Sequence, residues 1–69
     1  MSELNTGLPS TREIQNLIRN EQSVELKLVT DERLVGKIAW QDPTCLCLIE
    51  RNEQSTLVWR QALVYLKPT

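Results

Sequence analysis

The sequence has no histidine and no phenylalanine, only two glycines and two cysteines, two tryptophans and one tyrosine as its aromatics, and no excess of either charge. Without histidine, a serine, threonine or cysteine nucleophile would need a carboxylate or lysine as its base. None stands at a recognisable spacing from such a nucleophile, so no catalytic residue is assigned and the chain is not expected to be an enzyme. The same absence removes structural zinc, since Cys45 and Cys47 would have to be completed by carboxylates. No metal site and no cofactor are expected. Gly7 and Gly36 are far apart and form no glycine-rich phosphate loop, so nucleotide hydrolysis has no support.

The cysteines also fail to supply a staple. Two residues apart in a strand they face the same way, with Cα atoms about 6.5 to 7 Å apart, at the limit of disulfide reach. They read as reduced, small core hydrophobes, with redox sensing as the alternative if they are exposed. A single domain of 69 residues buries only about 60% of its unfolded surface. With disulfide and metal excluded, self-association is the remaining route to ordinary stability. Residues 1–10 carry Glu3, no basic cluster and no apolar core, so they do not read as a signal peptide, and no later stretch reaches membrane-spanning length. A cytoplasmic protein without membrane insertion is expected. Eight basic and nine acidic residues give a net charge of −1, which provides no global attraction for nucleic acid. Any RNA binding must be local, and a symmetric ring would turn one basic residue per subunit into a circle of charge.

Residues 1–9 read as a flexible lead-in, and residues 10–69 as one domain. Ser10-Thr-Arg-Glu13 matches a capping box, predicting a helix start at Ser10. Ile14, Leu17 and Ile18 then form one apolar stripe, with Arg12, Gln15, Asn16 and Arg19 on the other side. From Val24 the apolar period is two. Val24, Leu26 and Leu28 form a first strand, Thr30-Asp31-Glu32 a turn, and Arg33 to Trp40 a second strand in which Gly36 suggests a sharp bend. Asp42-Pro43 breaks it. Strands over Thr44 to Ile49, Ser55 to Arg60 and Leu63 to Leu66 follow, separated by Arg51-Asn52-Glu53-Gln54 and Gln61-Ala62. A helix and five short strands joined by tight turns suit a small bent barrel rather than a flat sheet.

Single-stranded RNA is held by stacking and phosphate contact, for which Trp40, Trp59, Arg60, Arg33, Lys27 and Arg19 are the available side chains. Each has a structural alternative. Trp40 shares the parity of Leu34 and Ile38, which favours core or subunit-interface packing; Trp59 can pack between strands; Arg12 and Arg19 can be a solvated face; Asp42 is most simply a turn residue.

The capped helix, Val24-Glu-Leu-Lys-Leu-Val29, Leu34-Val-Gly-Lys-Ile38, Asp42 and Val58-Trp-Arg-Gln-Ala62, in that order, resemble the Hfq family of bacterial Sm-like proteins across about residues 8–68. Leu8-Pro-Ser10 and Trp40-Gln-Asp-Pro43 are most similar to its divergent cyanobacterial branch. The resemblance implies a mainly β Sm-like fold, an N-terminal α-helix on a bent five-stranded small barrel, with the fourth strand of one subunit pairing with the fifth of the next in a homohexameric ring. It implies RNA binding and post-transcriptional regulation, as an RNA chaperone, with uridine-rich ends held at the pore face. The pore-face positions are Thr44, where the family has a stacking aromatic, and Trp59, Arg60 and Gln61, where it has Tyr-Lys-His. The distal-face positions hold Lys27, Asp31 and Glu32 in place of a tyrosine and a small apolar patch, and the rim keeps Gln15 and Arg19 without the arginine cluster. The resemblance to the cyanobacterial branch also implies a possible alternative role, as a protein-binding adaptor at the type IV pilus assembly ATPase that affects motility.

Overall fold

A computed structural model describes residues 7–69. One helix, α1 (Pro9–Arg19), precedes five strands: β1 (Ser23–Leu28), β2 (Arg33–Gln41), β3 (Cys45–Glu50), β4 (Ser55–Trp59) and β5 (Leu63–Pro68), with a single 3-10 turn at Arg60–Ala62 between the last two. The strands form one antiparallel sheet in the order β4-β3-β2-β1-β5. Among the described residues, β4 and β5 are therefore its open edges.

The helix N-cap is Leu8, two residues before the Ser10 of the capping box. Leu8 makes no side-chain capping bond, Pro9 occupies the first turn, and the Arg12 amide donates to the Leu8 carbonyl at 2.9 Å. Proline at the first helical position has a preset φ and no N–H to satisfy, so the chain does not need the Ser10 hydroxyl. Of the expected lead-in, residues 1–6 lie outside the described residues. The helix ends in a Schellman motif, with Glu21 N–H donating to Ile18 O (3.1 Å) and Gln22 N–H to Leu17 O (3.0 Å). Glu21 takes the left-handed conformation there, with φ 50°.

The apolar stripe behaves as its spacing predicts. Ile14, Leu17 and Ile18 pack against a core of Val24, Leu26, Ile38, Leu46, Leu48 and Val58, one inward residue after another from β1 to β4. Cys47 is buried and Cys45 half-buried, and both are free thiols.

Two features of β2 depart from its sequence pattern. A register irregularity lies at Ala39: Ile38 pairs with Leu48 while Trp40 pairs with Cys47, so one extra residue is inserted in β2. Such a bulge inverts the parity that follows it. Trp40 is thereby turned out of the core, with 44% of its surface exposed in the subunit, and Gln41 joins the side of its partner Leu46. Gly36 serves a close approach. A Cβ there would stand 2.3 Å from the Ile49 carbonyl oxygen on β3.

Candidate functional site

The bulge at Ala39 and the turn at Asp42-Pro43-Thr44 bring the end of β2, the end of β4 and α1 to one corner of the barrel. Asp42 organises the turn. Its Oδ1 accepts from the amides of Cys45 (2.7 Å) and Thr44 (3.0 Å) and from the Thr44 hydroxyl (3.3 Å), and its own amide donates to the Cys45 carbonyl at 2.9 Å. The Cys45 amide first, then the Thr44 amide, hold the carboxyl below its ordinary value of 3.8; the Thr44 hydroxyl and the charge of Arg60 act the same way, against a desolvation that opposes them.

Arg60 is tied to this turn at three points. Its amide donates to the Thr44 carbonyl (2.9 Å), its Nε to the Asp42 carbonyl (2.9 Å), and its Nη2 to Oε1 of Gln41. The Gln41 carboxamide in turn donates from Nε2 to Oε1 of Gln15 (2.7 Å) and to the Thr11 carbonyl (3.2 Å), both on α1. A primary amide has two N–H donors and one carbonyl acceptor. All three groups of Gln41 are engaged, in the one orientation that gives its oxygen to a guanidinium and its N–H groups to acceptors. A guanidinium has five N–H donors, so Arg60 is anchored with donors left over for a phosphate or carboxylate.

Trp59, immediately before Arg60, lies opposite Cys45 in the β3–β4 register and is 55% exposed, so its ring is open to contact. Thr44 and Gln61 are exposed at the same corner. The four pore-face candidates Thr44, Trp59, Arg60 and Gln61 are thus neighbours. Thr44 stands in the turn just before β3 and not within it, and its hydroxyl is engaged with Asp42.

The other predicted residues fall into two further places. Gln15 and Arg19 line an open polar groove on the outer face of α1 together with Arg12 and Asn16. Gln15 also braces Gln41, which connects the groove to the Arg60 corner. Lys27, Asp31 and Glu32 lie at the β1–β2 turn: Lys27 Nζ is 3.1 Å from Asp31 Oδ1, and Glu32 Oε1 accepts from the Thr30 hydroxyl at 3.0 Å. Tyr65, which the sequence does not single out, stands across from Lys27 on β5. Its hydroxyl donates to Glu25 Oε2 (2.6 Å), and Lys67 Nζ lies 5.3 Å over its ring. Gln41 is the more consequential omission. Its role depends on the Ala39 bulge, which no residue type announces.

Among the described residues no group of three or more His, Cys, Asp or Glu side chains is placed to hold a metal ion, and no helix is long and apolar enough to cross a membrane.

Comparison with known proteins gives a consistent result. A family model described as Hfq related matches residues 8–68. The crystal structure of an Hfq protein from Anabaena sp. superposes with a TM-score of 0.83 at 48% identity, over 91% of this chain and 100% of that one. A structure of the pleiotropic translational regulator Hfq superposes with a TM-score of 0.80 at 16% identity, over 84% of this chain and 95% of that one, a likeness of fold. No match to a curated protein sequence was found.

Proposed function

The chain belongs to the Hfq-related family of Sm-like proteins, and from that membership we propose that it forms a hexameric ring that binds RNA weakly at its pore face and acts in post-transcriptional regulation in the cytoplasm. The observation that carries this reading is the corner at which Trp59, with an open ring, adjoins Arg60, whose guanidinium is anchored with donors to spare. An exposed aromatic beside a fixed cation is the pair that single-stranded RNA requires, a surface for a base and a partner for its phosphate. Sixfold repetition would set six such pairs around the pore.

Ring closure is supported by the sheet. Among the described residues β4 and β5 are its two unpaired edges, and they carry the exposed Leu57 (51%) and Val64 (58%). Pairing β4 of one subunit with β5 of the next satisfies both edges and covers Leu57 and Val64, each contributing on the order of 1 kcal/mol, while the Trp59 ring stays open at the pore-face corner.

The family resemblance makes uridine-rich RNA the expected ligand, and the chemistry of the corner supports a low affinity for it. Thr44 offers a hydroxyl already engaged with Asp42 where a second stacking ring would stand, and Gln61 offers no imidazole. Adenine-rich RNA finds less. Lys27 is paired with Asp31, and Glu32 adds negative charge that repels phosphate. The Arg12, Gln15, Asn16 and Arg19 groove contributes a modest rim.

Replacing both Trp59 and Arg60 with alanine tests the assignment, with RNA affinity read by fluorescence anisotropy and ring mass by light scattering. The expected result is an intact ring whose uridine-rich affinity falls at least tenfold. Unchanged affinity would move the site elsewhere. An intact wild-type ring that binds neither RNA would instead favour the adaptor reading, with a protein such as the pilus assembly ATPase as its partner.

A further inference from the structure

We propose that Gln41 is the positioning residue of the pore-face site, setting RNA affinity by holding the Arg60 guanidinium in its phosphate-binding pose. The proposal rests on the pore-face reading above.

Three observations carry it. The bulge at Ala39 turns Gln41 onto the side of the sheet that α1 covers, where an unbulged strand would have placed Trp40. There its amide is saturated, donating to Gln15 Oε1 and the Thr11 carbonyl and accepting from Arg60 Nη2. Finally, among the described residues Arg60 has one other side-chain hydrogen bond, from Nε to the Asp42 carbonyl. A guanidinium held at Nε alone still turns about its Cδ–Nε and Cγ–Cδ bonds; a second tether at Nη2 fixes its plane. The ordering of a long cationic side chain, which otherwise opposes binding, is then completed on folding. Gln41 itself need not touch RNA.

The chain Thr11/Gln15–Gln41–Arg60 also makes the helix the ultimate anchor of the pore-face cation. Gln15, on the rim groove, therefore influences a site it does not line, through Gln41.

The test is a double-mutant cycle on uridine-rich RNA affinity, with Q41M, R60A and the double variant, each confirmed as a ring of wild-type mass. Methionine keeps the length and most of the volume of glutamine and removes its hydrogen bonds. Q41M is expected to weaken binding three- to tenfold, the usual cost of ordering one such side chain on binding, and R60A to weaken it at least as much. In the R60A background Q41M should have no further effect, because its contribution runs entirely through the guanidinium. A merely structural role would instead lower affinity by the same factor in both backgrounds.

If Q41M fails to assemble, Q15A removes one brace from outside the turn. It should weaken binding about twofold in the wild type and not at all beside R60A. Loss of affinity in R60A together with a neutral or multiplicative Gln41 or Gln15 variant overturns the positioning role and leaves the pore-face site standing. Full affinity in R60A overturns both.

Discussion

Replacing Gly36 with alanine tests how closely the barrel is wound. The added Cβ would stand 2.3 Å from the Ile49 carbonyl oxygen, 2.9 Å from its carbon and 3.1 Å from Glu50 Cα. All three are backbone atoms, so no rotamer change relieves the clash. Bringing the oxygen contact to an ordinary separation requires β2 and β3 to part locally by about 1 Å. Overpacking of this kind costs about 1–3 kcal/mol, and a weakened ladder hydrogen bond adds about 1 kcal/mol. Alanine returns about 0.4–1 kcal/mol by restricting the unfolded chain. The net loss is about 1–3.5 kcal/mol, a fall of about 4–28 °C in Tm for a domain of this size. Thermal unfolding followed by circular dichroism, at one fixed subunit concentration because assembly makes Tm concentration-dependent, measures it. A variant melting within about 2 °C of the wild type would refute the close-approach argument.

Three further outcomes follow from local geometry. Leu46→Ala, at a fully buried core position, should cost about 2–5 kcal/mol in urea unfolding, and a loss below about 1 kcal/mol would place Leu46 outside the core. Asp42→Ala should lower Tm in a pH-dependent way. The folded carboxyl titrates below 3.8, so its stabilisation is present above the unfolded value and is lost as pH falls through the folded one. The gap between variant and wild type should be constant from pH 5 to 8 and close below about pH 4; a gap that widens in acid would contradict the assigned hydrogen bonds. Glu21→Gly should raise stability by about 0.5 kcal/mol, because φ 50° costs glutamate about 1 kcal/mol and glycine gives back part of that gain in the unfolded chain. A lower Tm would show that the glutamate side chain does more than cap.

Residue patterns announced the fold and left the site half legible. The helical stripe of Ile14, Leu17 and Ile18 and the alternation of Val24, Leu26 and Leu28 survive folding because each reflects a single surface that must be buried. The helix N-cap falls two residues before Ser10 because two local signals compete, the Ser10 capping box and Pro9 at the first helical position, and proline prevails. The parity of β2 held as far as Ile38 and failed after it. A bulge at Ala39 leaves no compositional mark, so the parity that grouped Trp40 with Leu34 and Ile38 for core or subunit-interface packing does not reveal that Gln41 takes the inward side of the subunit. Gly36 reads as a bend in sequence, and the close approach of the Ile49 carbonyl that it also admits becomes visible only from the position of β3. Arg60 could be named from sequence as a cation beside an aromatic. Its tethers could not, since they come from residues 18 and 19 positions away, and the onward link from Gln41 to α1 spans 26 and 30.

The most direct test of a ring with an RNA-binding pore face is a titration of the purified protein with short uridine-rich and adenine-rich RNAs, at one near-physiological salt concentration because phosphate contacts are strongly screened. Oligomeric mass is measured in the same buffer. The account predicts a particle of six subunits that binds the uridine-rich strand at about micromolar concentration and in preference to the adenine-rich one. A stable monomer, or an intact ring that binds neither strand, would contradict it.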